Sequence, residues 1–131
     1  MPKATVELWK NEPDEHDFPA ALDYLTLVSP PATAERLVQA MRAVGTVQRK
    51  AKDLLRASGL SLLPMDNFHV RADLRKIKRA QRLSPVLLVR GNFQQGYELE
   101  IADGYHRICA SWYTDENADI PCRIVDPSAG K

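Results

Sequence analysis

With 131 residues the chain has the commonest single-domain size, room for one hydrophobic core and no independent second module. Its 44% hydrophobic and 27% charged residues exclude a largely disordered chain, and no apolar run approaches the roughly 20 residues of a membrane-spanning helix. The net charge of +1 conceals an asymmetry, because residues 36–82 hold 12 Lys and Arg against three acids, Asp53, Asp66 and Asp73.

In chain order, residues 1–17 mix charge with Pro13 and one apolar patch, Val6 to Trp9, and read as a loosely attached arm or edge strand. Phe18, Ala21, Leu22, Leu25 and Val28 recur at helical spacing until Ser29-Pro30-Pro31 ends the pattern, predicting a first helix. Thr33 is placed to cap a second, with Leu37, Ala40, Met41 and Val44 inward and Gly45 as its stop. Thr46 is placed to cap a third, with Val47, Ala51, Leu54 and Leu55 inward and Ser58-Gly59 closing it.

The character changes after Gly59. Leu60 to Leu63, before Pro64, reads as a short strand or an extended lead-in, Met65-Asp66-Asn67 as a loop, and Asp73 to Arg82 as a short, very basic fourth helix. Pro85 to Val89 is a continuous apolar run, the mark of a strand covered on both faces. Gly91 to Gly96 reads as a loop, and Tyr97, Leu99 and Ile101 alternate with Glu98 and Glu100 as the second arm of a hairpin. A helix with Ile108, Ala110, Trp112 and Tyr113, then a short strand from Pro121 to Val125, completes an α+β pattern, a small mixed sheet packed by helices.

The stretch richest in chemistry is Ile101 to Ala110, where a strand runs through a tight turn directly into a helix. A helix's first turn leaves about four N–H groups without internal partners and carries partial positive charge, which makes it an anion site. Gly104 lets the backbone approach a ligand. Arg107 can offer a planar fork of donors to a phosphate and His106 a further hydrogen bond. Asp103 can cap the helix, accept from a ligand hydroxyl, or hold a metal that bridges phosphates. The same residues equally describe a plain cap, a surface ion pair and a structural histidine.

The spacing of Gly104, Arg107 and Ala110 resembles the G-x-x-R-x-x-A box of ParB-like domains, and Gly104-Tyr105-His106-Arg107 resembles the G-C-H-R turn of sulfiredoxin. Both families of this superfamily place a basic helix, an apolar strand, a hairpin, this box, a helix and a short strand in that order. The resemblance covers Leu60 to Val125, and divides the chain into residues 1–59, an N-terminal arm and helical extension packed on the core, and residues 60–131, the ParB/sulfiredoxin-like domain. It implies a nucleoside triphosphate site with Mg²⁺, in which Gly104, Tyr105, His106 and Arg107 hold phosphates, Lys76 or Lys78 reaches the same group, and Asp103 and His106 carry any phosphoryl transfer or hydrolysis.

Two departures narrow it. Tyr105 stands where sulfiredoxin has its catalytic cysteine, and a phenol cannot replace a thiolate in sulfinic-acid chemistry, so sulfiredoxin activity is not expected. Cys109, one turn further in, reads as a structural thiol. The chain also carries no helix-turn-helix after the box, which argues against sequence-specific DNA binding of the chromosome-partitioning kind.

Walker A, G-x-G-x-x-G and G-x-S-x-G patterns are missing, and His16, His69 and His106 lack metal-ligand spacing. The leading expectation is therefore nucleotide binding, with phosphotransferase or hydrolytic activity as its extension. The alternative is a module without chemistry, whose basic segment 36–82 docks a nucleic acid or an acidic partner. A start without a signal peptide's apolar region and two unpaired cysteines, Cys109 and Cys122, fit a cytoplasmic protein without membrane contact.

Overall fold

The computed structural model describes residues 8–131. The expected arm or edge strand therefore lies partly outside the described residues; of its apolar patch, Trp9 makes an isolated parallel bridge with Leu83.

Helix α1, Asp17–Val28, buries Phe18, Ala21 and Leu25, and α2, Pro31–Ala43, buries Ala34, Leu37, Val38 and Met41. Pro31 opens α2 at the position where a missing N–H costs nothing. Strand β1, Val47–Lys50, follows, then α3, Ala51–Ser58, ended by Gly59 at φ +70°. Asn67 caps α4, Phe68–Lys78, accepting hydrogen bonds from the amides of His69 (3.0 Å) and Val70 (3.1 Å). The remaining elements are β2, Val86–Val89; β3, Glu100–Asp103; α5, Tyr105–Thr114; and β4, Asp119–Val125.

The four strands form one mixed sheet in the order β1-β4-β2-β3. Only β2 and β4 are parallel, with Val86 opposite Cys122 and Val89 opposite Val125; the other two pairings are antiparallel. The period of two sends Val86 and Leu88 to one face of β2, and Leu87 and Val89 to the other. On the first face they join Leu54, Val70, Ile77 and Ile108 from α3, α4 and α5. On the second they join Phe18, Leu25, Leu37 and Met41 from α1 and α2. The result is a sheet packed by helices on both faces, in which β2 is buried along its whole length. Buried Arg123 on β4 fastens α2 by donating to the carbonyls of Met41 (3.1 Å) and Arg42 (3.0 Å), two of the carbonyls a helix end leaves free.

Three sequence expectations about elements are corrected. The third helix does not start at Thr46, because Val47 to Lys50 pairs with β4 and helix begins at Ala51. Leu60 to Leu63 is not a strand. Leu62 and Leu63 pack against the core, while the carbonyls of Ser61 and Leu63 accept from the Tyr105 and Tyr113 hydroxyls rather than from a neighbouring strand. The fourth helix begins at Phe68, five residues before Asp73, because Asn67 supplies the cap. The hairpin is present, but β3 begins at Glu100 and Tyr97 is 66% exposed. Among the described residues no helix is long and apolar enough to cross a membrane.

Candidate functional site

Strand β3 delivers Asp103 to the edge of the core, and the chain turns into α5 within one residue, Gly104. That residue has φ +112°, and a Cβ there would lie 2.4 Å from Val86 Cγ1, so only glycine fits. Among the described residues, helix α5 has no side-chain cap hydrogen bond at its N-terminus. Asp103, expected as a possible cap, instead accepts from Arg107 Nη2 at 2.8 Å.

Helix α4 crosses in front of this turn. Its capped start sets His69, Ala72, Asp73 and Lys76 at helical i, i+3, i+4 and i+7 spacing on one face. Together with Asp103, Gly104, His106 and Arg107 they line a cavity of about 240 Å³. The His69 and His106 rings stand 4.8 Å apart at its wall.

Arg107 is neither a free fork of donors nor a surface ion pair, the two roles its sequence position allows. Only 16% of it is accessible; besides Asp103 its Nη2 reaches the Pro85 carbonyl at 3.2 Å, and Asp17 at the start of α1 lies 4.0 Å away. Its buried Nε has no hydrogen-bond partner among the described residues. Asp17 itself is 2% exposed and accepts from the Asp14 amide at 3.0 Å. One guanidinium thus serves two carboxylates of different elements.

Burial sets the protonation behaviour. Desolvation pushes the Asp103 carboxyl above its usual range, Arg107 pulls it back, and the neighbouring Asp17 pushes it further up. Asp73 is likewise raised by burial, against the pull of Lys76, Arg107, His106 and His69. His106 is lowered, first by burial and then by the charge of His69, so it holds a neutral ring at pH 7 with a lone pair to offer.

Of the residues singled out from the sequence, the cavity gathers Asp103, Gly104, His106, Arg107 and Lys76. Tyr105 and Lys78 are not among its lining residues, and the Tyr105 hydroxyl donates to the Ser61 carbonyl. Sequence reasoning missed His69, Asp73 and Asp17. The first two were within reach, since they share a helical face with Lys76; starting the helix at Asp73 hid His69, while Asp73, three residues before Lys76 in the expected helix, was counted only as an acid within the basic segment. Asp17 had no local signal, because only the packing of α1 on β3 brings it near Arg107.

Two oxygen donors, Asp73 and Asp103, flank the cavity and suit a hard divalent cation such as Mg²⁺, which takes one or two carboxylates beside substrate phosphates. A separate group, Asp14, His16 and Asp17, brings ligand atoms within 4.8 Å of one another, but Asp14 is paired with Lys10 at 2.7 Å. Against family models, curated proteins and solved structures alike, the chain finds no match.

Proposed function

We propose that this cavity binds the phosphate groups of a nucleotide together with a divalent cation, in a domain of ParB/sulfiredoxin-like type. The observation that carries the reading is the side-chain-uncapped start of α5 opening on a cavity edged by Lys76, Arg107, His69 and His106. Its volume of about 240 Å³ is below the ~300–1,000 Å³ of sites that enclose a whole drug-sized ligand. Phosphates enter and the nucleoside stays outside.

Asp73 and Asp103 would hold the cation, which supplies charge neutralisation of the phosphates. Lys76 points a compact charge at the same groups, and the α5 amides donate to the remaining oxygens. Where an acceptor or a water is to be deprotonated, the group suited to it is His106, neutral at pH 7, rather than Asp103, whose oxygen already takes the Arg107 bond.

A second reading rests on α4 and its C-cap residue Arg79, where Arg71, Arg75 and Arg79 are exposed with no ion pair among the described residues. Such a basic surface fits a nucleic-acid or acidic partner without chemistry.

Calorimetric titration of ATP, CTP, GTP and pyrophosphate, each with and without Mg²⁺, separates the two. The phosphate reading expects saturable binding that Lys76→Ala weakens about tenfold, the scale of one charge-assisted hydrogen bond. Lys78→Ala should leave it within about twofold. Equal losses in both variants, or binding only of nucleic acid with steep salt dependence, would replace the nucleotide site by the diffuse basic face.

A further inference from the structure

Four rings stand in one row beside the cavity at the α5 turn. Phe68 meets His69 edge to face with centroids 5.3 Å apart, His69 meets His106 at 4.8 Å, and His106 meets Tyr105 at 5.7 Å. The row joins the first turn of α4 to the first turn of α5, and its two middle members, His69 and His106, line the cavity.

The two ends of the row differ. Tyr105 packs against the core and its hydroxyl donates to the Ser61 carbonyl, so that ring is built into the fold. Phe68 is 68% exposed and packs into neither core cluster, because it falls on the side of α4 opposite Val70 and Ile77, which that helix buries. The other two exposed aromatics, Phe93 and Tyr97, precede β3, whereas the α5 turn follows it. The helix starts differ as well. Asn67 caps α4 by accepting from the amides of His69 and Val70, and α5 has no side-chain cap among the described residues. Free amides that suit an anion therefore sit at the α5 end of the row, and an apolar ring sits at the α4 end.

We propose that Phe68 is the platform on which the base of a bound nucleotide stacks, with the phosphates at the start of α5 and the sugar crossing the two imidazoles. The assignment rests on the phosphate reading of the cavity and supplies the place of the nucleoside, for which a volume of about 240 Å³ leaves no room inside. Every base has a π-face, so a stack on one exposed phenyl ring tells a nucleotide from a bare polyphosphate without choosing among bases.

Titration of ATP, CTP and tripolyphosphate, each with Mg²⁺, into wild type, Phe68→Ala, Phe68→Leu and Phe68→Trp separates base from phosphate. The exposed position keeps all three variants folded. Alanine and leucine should each weaken ATP and CTP about fivefold or more, the lower end of one base–aromatic stack, and leave tripolyphosphate within about twofold. Tryptophan, with its larger ring, should hold or raise nucleotide affinity. In wild type, ATP and CTP should stay within about tenfold of each other. The adenine H2 and H8 resonances should move upfield on binding to wild type and not to Phe68→Leu, since the ring current of a stacked phenyl is then gone. Phe68→Leu binding nucleotides as tightly as wild type, or equal losses for ATP and tripolyphosphate, would overturn the platform and leave the phosphate site standing. Failure of nucleotides and tripolyphosphate alike to bind wild type would remove the phosphate site, and the platform with it.

Discussion

Replacing Arg107 by alanine tests the electrostatics of the α5 turn most directly. The guanidinium lies 2.8 Å from Asp103 and 4.0 Å from Asp17, and Asp17 is buried. Its removal leaves two neighbouring carboxylates without their cation, a one-sided loss that costs about 3–5 kcal/mol at buried pairs. Asp103 borders the cavity, so the lower figure applies, ~3 kcal/mol, or a fall in Tm of about 10 °C for a chain of this length. The cost must depend on pH. Asp103 titrates above its ordinary 3.8 because of burial, and Arg107 is what restrains it. Without Arg107 the folded carboxyl rises further. A raised carboxyl contributes stability that is present at low pH and lost as pH climbs from the unfolded value through the folded one. The gap between wild type and Arg107→Ala should therefore be widest at neutral pH and close on acidification toward about pH 4. Asp103→Asn added to Arg107→Ala should recover much of the loss at neutral pH, since it removes one stranded charge. Melting curves by circular dichroism across this range decide it. A gap below about 1 kcal/mol, or one constant with pH, would show that Arg107 is held by packing and not by charge.

Two further outcomes follow from neighbouring residues. Gly104→Ala sets a Cβ 2.4 Å from Val86 Cγ1 at φ +112°, so urea denaturation should show a loss of about 2–5 kcal/mol, while Gly45→Ala, with nothing within 4 Å, should be nearly neutral. His106 is held below its ordinary 6.5, so the folded state resists a proton that the unfolded chain accepts. Stability should fall as pH drops from 6.5 toward the folded value, and His106→Gln should flatten that decline in chemical-denaturation curves measured through the window.

The parts of this fold that were legible in the sequence are those whose reasons are local. The run Val86 to Val89 announces a strand covered on both faces, and Gly104 announces a turn that only glycine can make. Val47 to Lys50 reads as the first turn of a helix because Val47 falls at helical spacing with Ala51, Leu54 and Leu55; in the structure its four residues are exposed, and Val47 opposite Cys122, a pairing across more than half of the chain, makes it a strand. Leu60 to Leu63 has a strand's composition, yet two tyrosine hydroxyls take its carbonyls and leave no ladder. The start of α4 was legible in Asn67, whose side chain accepts two amides, and reading that residue as loop cost the site its His69. Turn, glycine, arginine and histidine were visible as a motif, whereas the partner that withholds the arginine, Asp17, comes from packing alone.

That withholding bears on what the cavity accepts. Arg107 is committed to Asp103, and Lys76 lies only 3.9 Å from Asp73, so each cation at the cavity already faces a carboxylate. With His106 neutral at pH 7, the lining carries no surplus positive charge, and a bare polyphosphate gains from the α5 amides only against two carboxylates. A divalent cation reverses the balance, because the same carboxylates then become its ligands and the phosphates its remaining shell. Binding of pyrophosphate should consequently require Mg²⁺. Asp73→Asn removes one carboxylate charge from the cavity while keeping its shape, so it should weaken Mg²⁺–pyrophosphate binding about tenfold and strengthen binding of metal-free pyrophosphate by a similar factor. Stability should rise slightly rather than fall, since burial already penalises the charged form of Asp73. Titrations of both ligand forms into wild type and variant give the four affinities needed. If Asp73→Asn weakens the metal-free form as much as the metal complex, Asp73 orders the cavity instead of coordinating, and the proposed cation has no place at this turn.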